Sequence, residues 1–219
     1  MRDVAGTARL APIDVPRLSG APRVVKDVVD RLLAAVLLVL ALPLLLVAAL
    51  LIELTDPGPV LHRQTRVGRH GVQFAMWKLR TMRVGAEGAH AEFRGAGVEH
   101  SAVVKPQRDP RVTAVGRLLR RSSVDELPQL VNVLTGSMSL VGPRPLLADE
   151  MARFGDDARP RLAVKPGMTG LWQVSGRSDL TWAEQLRLDL DYVENWSLWL
   201  DLRTLVRTVG AVLSTRGAY

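Results

Sequence analysis

The sequence predicts a mostly helical α+β protein: a membrane-embedded helix–break–helix hairpin, then a cytoplasmic domain with small β elements and interfacial amphipathic helices. Three observations carry this expectation. Leu32–Ile52 runs for 21 residues without a charge, and fifteen of them are Leu, Val or Ile. Short extended stretches at Val60-Leu61 and Phe74–Leu79 flank a glycine-containing turn, the pattern of a small hairpin. Helical periodicity appears at Ala114–Arg121, after Pro128 and again from Thr181 onward.

Length and charge bound the rest. A chain of 219 residues suffices for one domain with a real core and is cramped for two. The net charge of +7 is nearly all arginine, which points to anionic partners: phosphates, lipid headgroups or nucleic acid. The absence of cysteine excludes disulfides and thiolate metal sites. Four scattered histidines (His62, His70, His90, His100) have no paired spacing and are assigned no ligand role. Neither a P-loop nor a G-x-G-x-x-G pattern occurs.

Residues 1–24 are Pro- and Arg-rich without periodicity and read as a flexible leader. The apolar block follows, within a membrane segment at 25–56. Its fifteen large aliphatic residues favour insertion by about 6 kcal/mol at about 0.4 kcal/mol each. Pro43, in its middle, favours a kink. Basic residues lie on both sides, Arg23, Lys26 and Arg31 before it and Arg63, Arg66 and Arg69 after it. A straight span violates the positive-inside rule on one side, whereas a re-entrant helix that enters and leaves by one leaflet need not. The charges therefore favour re-entry over spanning.

A domain at 57–215 comes next. Thr55–Pro59 is a turn, and Val67–Val72 is the tight loop of the hairpin. Residues 84–107 read as a loop region, with a short helix near Ala86–Phe93 and the character of a lid. Leu146–Phe154 reads as a helix, Lys165–Gly170 as a glycine-rich loop, Leu171–Val174 as a strand and Ser175–Arg177 as a turn. Backbone N–H groups of such loops cradle phosphates. The stripe along Ser197–Leu213, with Trp196 and Trp199 near its start, fits a membrane interface and core packing equally.

The chemistry concentrates in Arg117–Pro145. Arg117, Arg120 and Arg121 precede adjacent carboxylates, Asp125 and Glu126. Pro128 then opens a short helix that Gly136 closes, and Arg144 sits between two prolines. Carboxylates at a helix start between arginines suit a phosphate site with a divalent metal or a nucleophile. The structural alternative is a capping box, Ser123-x-x-Glu126, with no chemistry attached.

Together the blocks KDVVDRLLAAVLLVLALPLLLVAALLI, DPGPVLHRQTRVGRHG, WKLRTM, DPRVTAVGRLLRRSSVDELPQLVNVLTGSMSLVGPRP, KPGMTGLWQVSGR and YVENWSLWLDL stand in one order over roughly 25–213. This closely resembles the bacterial sugar transferases, the monotopic polyprenyl-phosphate glycosyl-1-phosphate transferases. The resemblance implies transfer of a sugar-1-phosphate from a UDP-sugar to undecaprenyl phosphate, releasing UMP, as the first membrane step of exopolysaccharide or O-antigen assembly. It implies Asp125 as nucleophile, Glu126 as its helper, and both as ligands of Mg2+. It makes Arg120 and Arg144 phosphate-binding residues and places Lys78 and Arg80 about the nucleotide; Gln173 and Arg177, beside the glycine-rich loop, are further substrate-binding candidates, Arg177 for its charge. Asp189 and Asp201 match acidic family positions without an assigned role. The expected location is the bacterial inner membrane, among its lipids, with the catalytic domain on the cytoplasmic side; a homodimer is compatible with this. The family often has Ser-Pro at the membrane break, where this chain has Leu42-Pro43. The competing readings are a membrane-tethered nucleic-acid-binding protein, suggested by RLLRR, and a scaffold for glycan-assembly enzymes. The family reading carries no nucleic acid.

Overall fold

The computed structural model describes residues 18–86, 109–176 and 180–213. Most of the leader (1–17), the loop at 87–108 with its expected helix and lid, and Arg177 lie outside the described residues.

Helix α1 spans Gly20–Thr55. It starts before the 25–56 segment read from the sequence, because Pro22 falls in the first turn, where a missing N–H costs nothing. Leu18, assigned to the leader, is buried in the core. The helix runs uninterrupted through Pro43, so the break expected there is not a gap in the helix. At 36 residues it is long and apolar enough to cross a membrane, and little of its apolar stretch is covered by protein. Lys26, Asp30, Ala34, Ala48 and Ile52 form its buried stripe.

Strands β1 (Leu61–Val67) and β2 (Gln73–Leu79) form the expected antiparallel hairpin, from Leu61 opposite Leu79 to Val67 opposite Gln73. A 3-10 turn at Arg69–Gly71 reverses the chain, with His70 (φ 56°) and Gly71 (φ 79°) in left-handed backbone. Helix α2 (Ala114–Arg121) matches the sequence reading; the Thr113 hydroxyl accepts from the Gly116 N–H at 2.8 Å as its cap. Gly116 is required by packing: a Cβ there would stand 2.0 Å from the Thr81 carbonyl oxygen. This close approach seats α2 on the end of β2.

Helix α3 (Gln129–Leu134) has Pro128 at its N-cap, and Gly136 closes it at φ 82°. Strands β3 (Ser139–Val141) and β4 (Gly167–Thr169) pair in parallel. Helix α4 covers Ala148–Phe154, and a 3-10 stretch follows at Gly155–Ala163. The strand expected at Leu171–Val174 is instead helix α5 (Leu171–Ser175). Extended pairing falls at Gly167, where a Cβ would meet the Gly142 nitrogen at 2.1 Å, so the backbones meet where glycines permit it. A short apolar run such as Leu-Trp-Gln-Val carries too little periodicity to separate the two states. Helix α6 (Trp182–Asn195) opens with a capping box of Thr181 and Glu184, and helix α7 spans Leu198–Leu213.

The main core gathers Leu130, Val133, Met138, Leu140, Val141, Tyr192, Val193 and Trp196, with Ala34 of α1 among them. A second cluster joins Ala48 and Ile52 of α1 to Leu79 and Leu119. Both halves of α1 therefore pack on one domain. The α7 stripe divides: Asp201 and Thr204 are buried, whereas Leu198, Trp199, Leu202, Val206 and Val209 form an exposed apolar face. Trp196 is core, and Trp199 is 71% exposed.

A buried ionic knot fastens α1. Lys26 Nζ reaches Asp201 Oδ2 at 2.7 Å and Asp30 Oδ2 at 3.3 Å. Tyr192 OH and Trp196 Nε1 donate to Asp201 at 2.8 and 3.0 Å, and Ser139 Oγ donates to Asp30 at 2.6 Å. Burial pushes the Asp201 carboxyl up, against the pull of Lys26. Asp201→Ala strips the acceptor from three buried donors and should cost about 3 kcal/mol. Thermal unfolding in detergent should show this, with Lys26→Ala adding little in the double variant.

Candidate active site

Adjacent elements converge on one open cleft of about 2470 Å³. Its walls include Lys78, Arg80, Arg120, Asp125, Glu126, Arg144 and Gln173, so every described residue given a catalytic or substrate-binding role from the sequence lines it, whereas Asp189 and Asp201 do not. Leu37, Leu40 and Ala41 of α1 line it too.

Asp125 and Glu126 sit in a 3-10 turn, Val124–Glu126, between α2 and α3. Ser123 before it is left-handed (φ 57°) and its side chain caps nothing, so the Ser123-x-x-Glu126 box does not form. Glu126 Oε1 instead accepts from Lys78 Nζ at 2.7 Å. Asp125 is buried to 7% exposure yet faces the cleft. A left-handed serine carries backbone strain, and here it aims the carboxylates at the cleft.

Arginine roles separate on inspection. Arg80 is committed to Asp56 at the end of α1, through the carboxylate at 3.2 Å and the backbone carbonyl. It therefore fastens α1 as well as lining the cleft. Arg120 donates from Nε to Thr81 Oγ1 at 2.9 Å, which leaves its terminal nitrogens for the cleft; burial lowers its pKa while Asp125 opposes the shift. Arg144 Nη1 lies 3.5 Å from Glu150 Oε1. Gln173 donates to the Met168 carbonyl at 3.3 Å.

Sequence reasoning missed the residues that hold the Pro143-Arg144-Pro145 loop. Arg66 Nη1 donates to the Pro145 carbonyl and Arg161 Nη2 to the Arg144 carbonyl, each at 3.0 Å. Arg161 is in turn ion-paired to buried Asp189, which gives that acidic position its role. Burial and nearby Arg144 bring Arg66 down to about 10, so it stays charged at neutral pH. Asn132 was missed as well: its amide accepts from Trp77 N–H at 3.0 Å and donates to the Ala75 carbonyl at 2.8 Å, bolting α3 to β2. An apolar helix face carrying one asparagine was the available signal.

Comparison with known proteins decides the family. The model of the bacterial sugar transferases matches residues 21–215. The chain belongs to the bacterial sugar transferase family. The transferase is 42% identical over 217 residues to the exopolysaccharide production protein ExoY of Rhizobium meliloti, covering 95% of this chain and 96% of that one. It is 46% identical over 212 residues to the UDP-glucose:undecaprenyl-phosphate glucose-1-phosphate transferase of Caulobacter vibrioides, covering 90% and 74%. It is 44% identical over 202 residues to the undecaprenyl-phosphate galactose phosphotransferase of Salmonella typhimurium. That match covers 90% of this chain, which spans only 42% of the Salmonella protein's length.

The Asp189–Arg161 pair makes a pH prediction. Burial raises the Asp189 carboxyl to about 6 although Arg161 pulls it down. A folded-state pKa above the unfolded value of about 4 means that ionisation destabilises the fold. The contribution is fully present below pH about 4 and lost as pH rises through about 6. Melting temperatures at pH 5 and pH 7.5 should show this loss, and Asp189→Asn should flatten it.

Proposed function

We propose that the transferase moves a sugar-1-phosphate from a UDP-sugar to undecaprenyl phosphate, through a covalent aspartyl phosphosugar. The observation that carries this reading is one cleft joining Asp125, Glu126, Lys78, Arg120 and Arg144 to apolar residues of a membrane-length helix. Such a cleft can serve a water-soluble phosphate donor and a lipid acceptor in turn. The relatives' names, two of which are undecaprenyl-phosphate sugar or sugar-phosphate transferases and one an exopolysaccharide production protein, support the same reading.

In the first step a carboxylate oxygen of Asp125 attacks the sugar-bearing phosphorus. The bond from that phosphorus to the bridging oxygen breaks, and UMP departs with the electron pair. An oxygen of the lipid phosphate then attacks the same phosphorus, the aspartyl bond breaks, and lipid diphosphate sugar leaves with Asp125 restored. Attack by an anion on an anion requires screening, and Arg120 and Arg144 supply fixed positive charge on the cleft wall. Lys78 holds Glu126 in place beside the nucleophile.

Magnesium fits this donor set. Among the described residues no three acidic or histidine side chains gather, so an all-protein cage is not the arrangement. Mg2+ is typically held by one or two carboxylates together with substrate phosphates, and Asp125 and Glu126 offer that pair. When bound, the ion neutralises phosphate charge.

The two ends of α1 meet the same domain, the first through Lys26 and Asp30, the second through Asp56 with Arg80 and through Ile52. This supports a re-entrant disposition: both ends lie at one membrane face, with Pro43 deepest and the catalytic domain on the cytoplasmic side of the inner membrane. The exposed face of α7, with Trp199, suits the interface of the same leaflet. The nucleic-acid alternative loses its module, because α2 is docked on β2 with Arg117, Arg120 and Arg121 on the cleft wall.

Purified protein with magnesium, undecaprenyl phosphate and a panel of UDP-sugars should release UMP from one donor. Asp125→Asn should reduce this by at least about a thousandfold while leaving the melting temperature near wild type. Near-normal turnover in that variant would contradict the covalent mechanism.

A further inference from the structure

Among the described residues, six buried polar side chains line the cleft: Arg66, Thr81, Asp125, Gln129, Thr169 and Gln185. Four of them are held by protein partners. Arg66 donates to the Pro145 carbonyl at 3.0 Å, and Thr81 Oγ1 accepts from Arg120 Nε at 2.9 Å. Thr169 shares a hydrogen bond with Thr208 at 2.8 Å, and Gln185 Nε2 donates to the Leu180 carbonyl at 3.0 Å. Asp125 is the carboxylate assigned as nucleophile. Gln129 differs from all of these: it is only 3% exposed, and no described residue hydrogen-bonds its amide. A buried amide without a partner has given up water for nothing, unless a ligand completes it.

The backbone brings that amide beside the nucleophile. Val124–Glu126 is a 3-10 turn, Leu127 and Pro128 continue in right-handed helical backbone (φ −56° and −60°), and Gln129 opens α3. Hydrogen bonds from Leu127 N–H to the Val124 carbonyl and from Leu130 N–H to the Leu127 carbonyl carry the winding across the junction. Gln129 therefore stands four residues beyond Asp125 and three beyond Glu126, on the face that the two carboxylates share.

We propose that Gln129 is a catalytic residue, donating from Nε2 to a non-bridging oxygen of the phosphoryl group under transfer. This rests on the transferase reading above and adds to it a fixed, neutral donor. A phosphoryl oxygen needs donors, and the carboxylates of Asp125 and Glu126 supply none. An arginine or lysine at 129 would ion-pair with Asp125 before substrate arrives and blunt it as a nucleophile; an amide provides the donor without the charge. Donors aimed at charge that develops in the transition state act strongly in a site shielded from water. The same phosphoryl group passes from UMP to Asp125 and then to the lipid, so the amide serves both steps.

Gln129→Met keeps the side chain's length and removes the donor; Gln185→Met, where the amide is committed to Leu180, is the control. In the full-length Gln129→Met protein, single-turnover UMP release with magnesium and no acceptor should slow about a hundredfold or more. Decay of the phosphosugar enzyme on adding undecaprenyl phosphate should slow comparably, while KM for the UDP-sugar moves by less than about threefold. Its melting temperature in detergent should match or exceed wild type, because no protein partner is lost. Gln185→Met should do the reverse, melting lower with the donor step unchanged. Turnover like wild type in Gln129→Met, or a rate loss that merely follows a lower melting temperature, would overturn the proposal. A loss confined to KM and differing between UDP-sugars would also overturn it, since the amide would then contact the sugar. Absence of UMP release in the wild type would reject the underlying transferase reading, and the donor with it. A structure of the wild-type phosphosugar enzyme needs no variant. Gln129 Nε2 should lie within about 3.2 Å of a phosphoryl oxygen; an amide that makes no contact with the phosphoryl group would overturn the assignment.

Discussion

The structure depends on the ionic knot of Lys26, Asp30 and Asp201. It is an expensive way to join a helix to a domain, since each charge leaves water, and an apolar replacement is often as stable. Its value lies in direction and register. Ser139 of β3, with Tyr192 and Trp196 at the C-terminal end of α6, read the two carboxylates, so α1 seats in a single rotational setting. A purely aliphatic contact would let a leucine-rich helix slide or turn, because most of its faces are alike. At the far end of α1 the Asp56–Arg80 contact and the Ala48–Ile52 surface repeat the fastening.

From the knot, order passes to the chemistry through short connections. Tyr192 OH lies 2.8 Å from both Asp201 Oδ1 and the Val141 carbonyl oxygen and shares its one proton between them, and Val141 ends the strand that leads into Pro143-Arg144-Pro145. That loop is then held by Arg66 and Arg161 through its carbonyls, and Arg144 carries its guanidinium to the cleft wall. On the other wall, Gly116 brings α2 against Thr81, which delivers Arg120 beside the end of β2, while Asn132 fixes α3 to β2. The carboxylates lie between these two supports.

Much of this was legible because it rests on local rules. Gly136 marks a helix end through its cap, the hairpin turn declares itself by its glycines, and 21 uncharged residues admit few interpretations. The blocks around Asp125, Arg120 and Arg144 were distinctive enough to suggest one site before any distance was known. What escaped was tertiary. Arg66, Arg161 and Asp189 look like ordinary surface charges until their partners, dozens of residues away, are brought beside them. Leu171–Val174 turned helical because glycines elsewhere supplied the pairing backbone. Ser123-x-x-Glu126 fitted a cap by spacing, and the left-handed serine with Lys78 on the glutamate removed it.

Both halves of α1 pack on one domain, and the re-entrant disposition proposed from this puts both ends of the helix on the same face of the bilayer. The chain has no cysteine, so single cysteines introduced at Ser19 and at Val72 report without background. In intact spheroplasts, a membrane-impermeant maleimide should label neither, and in permeabilised cells it should label both. Labelling of one position alone in intact spheroplasts would mean a full span, and would contradict the account.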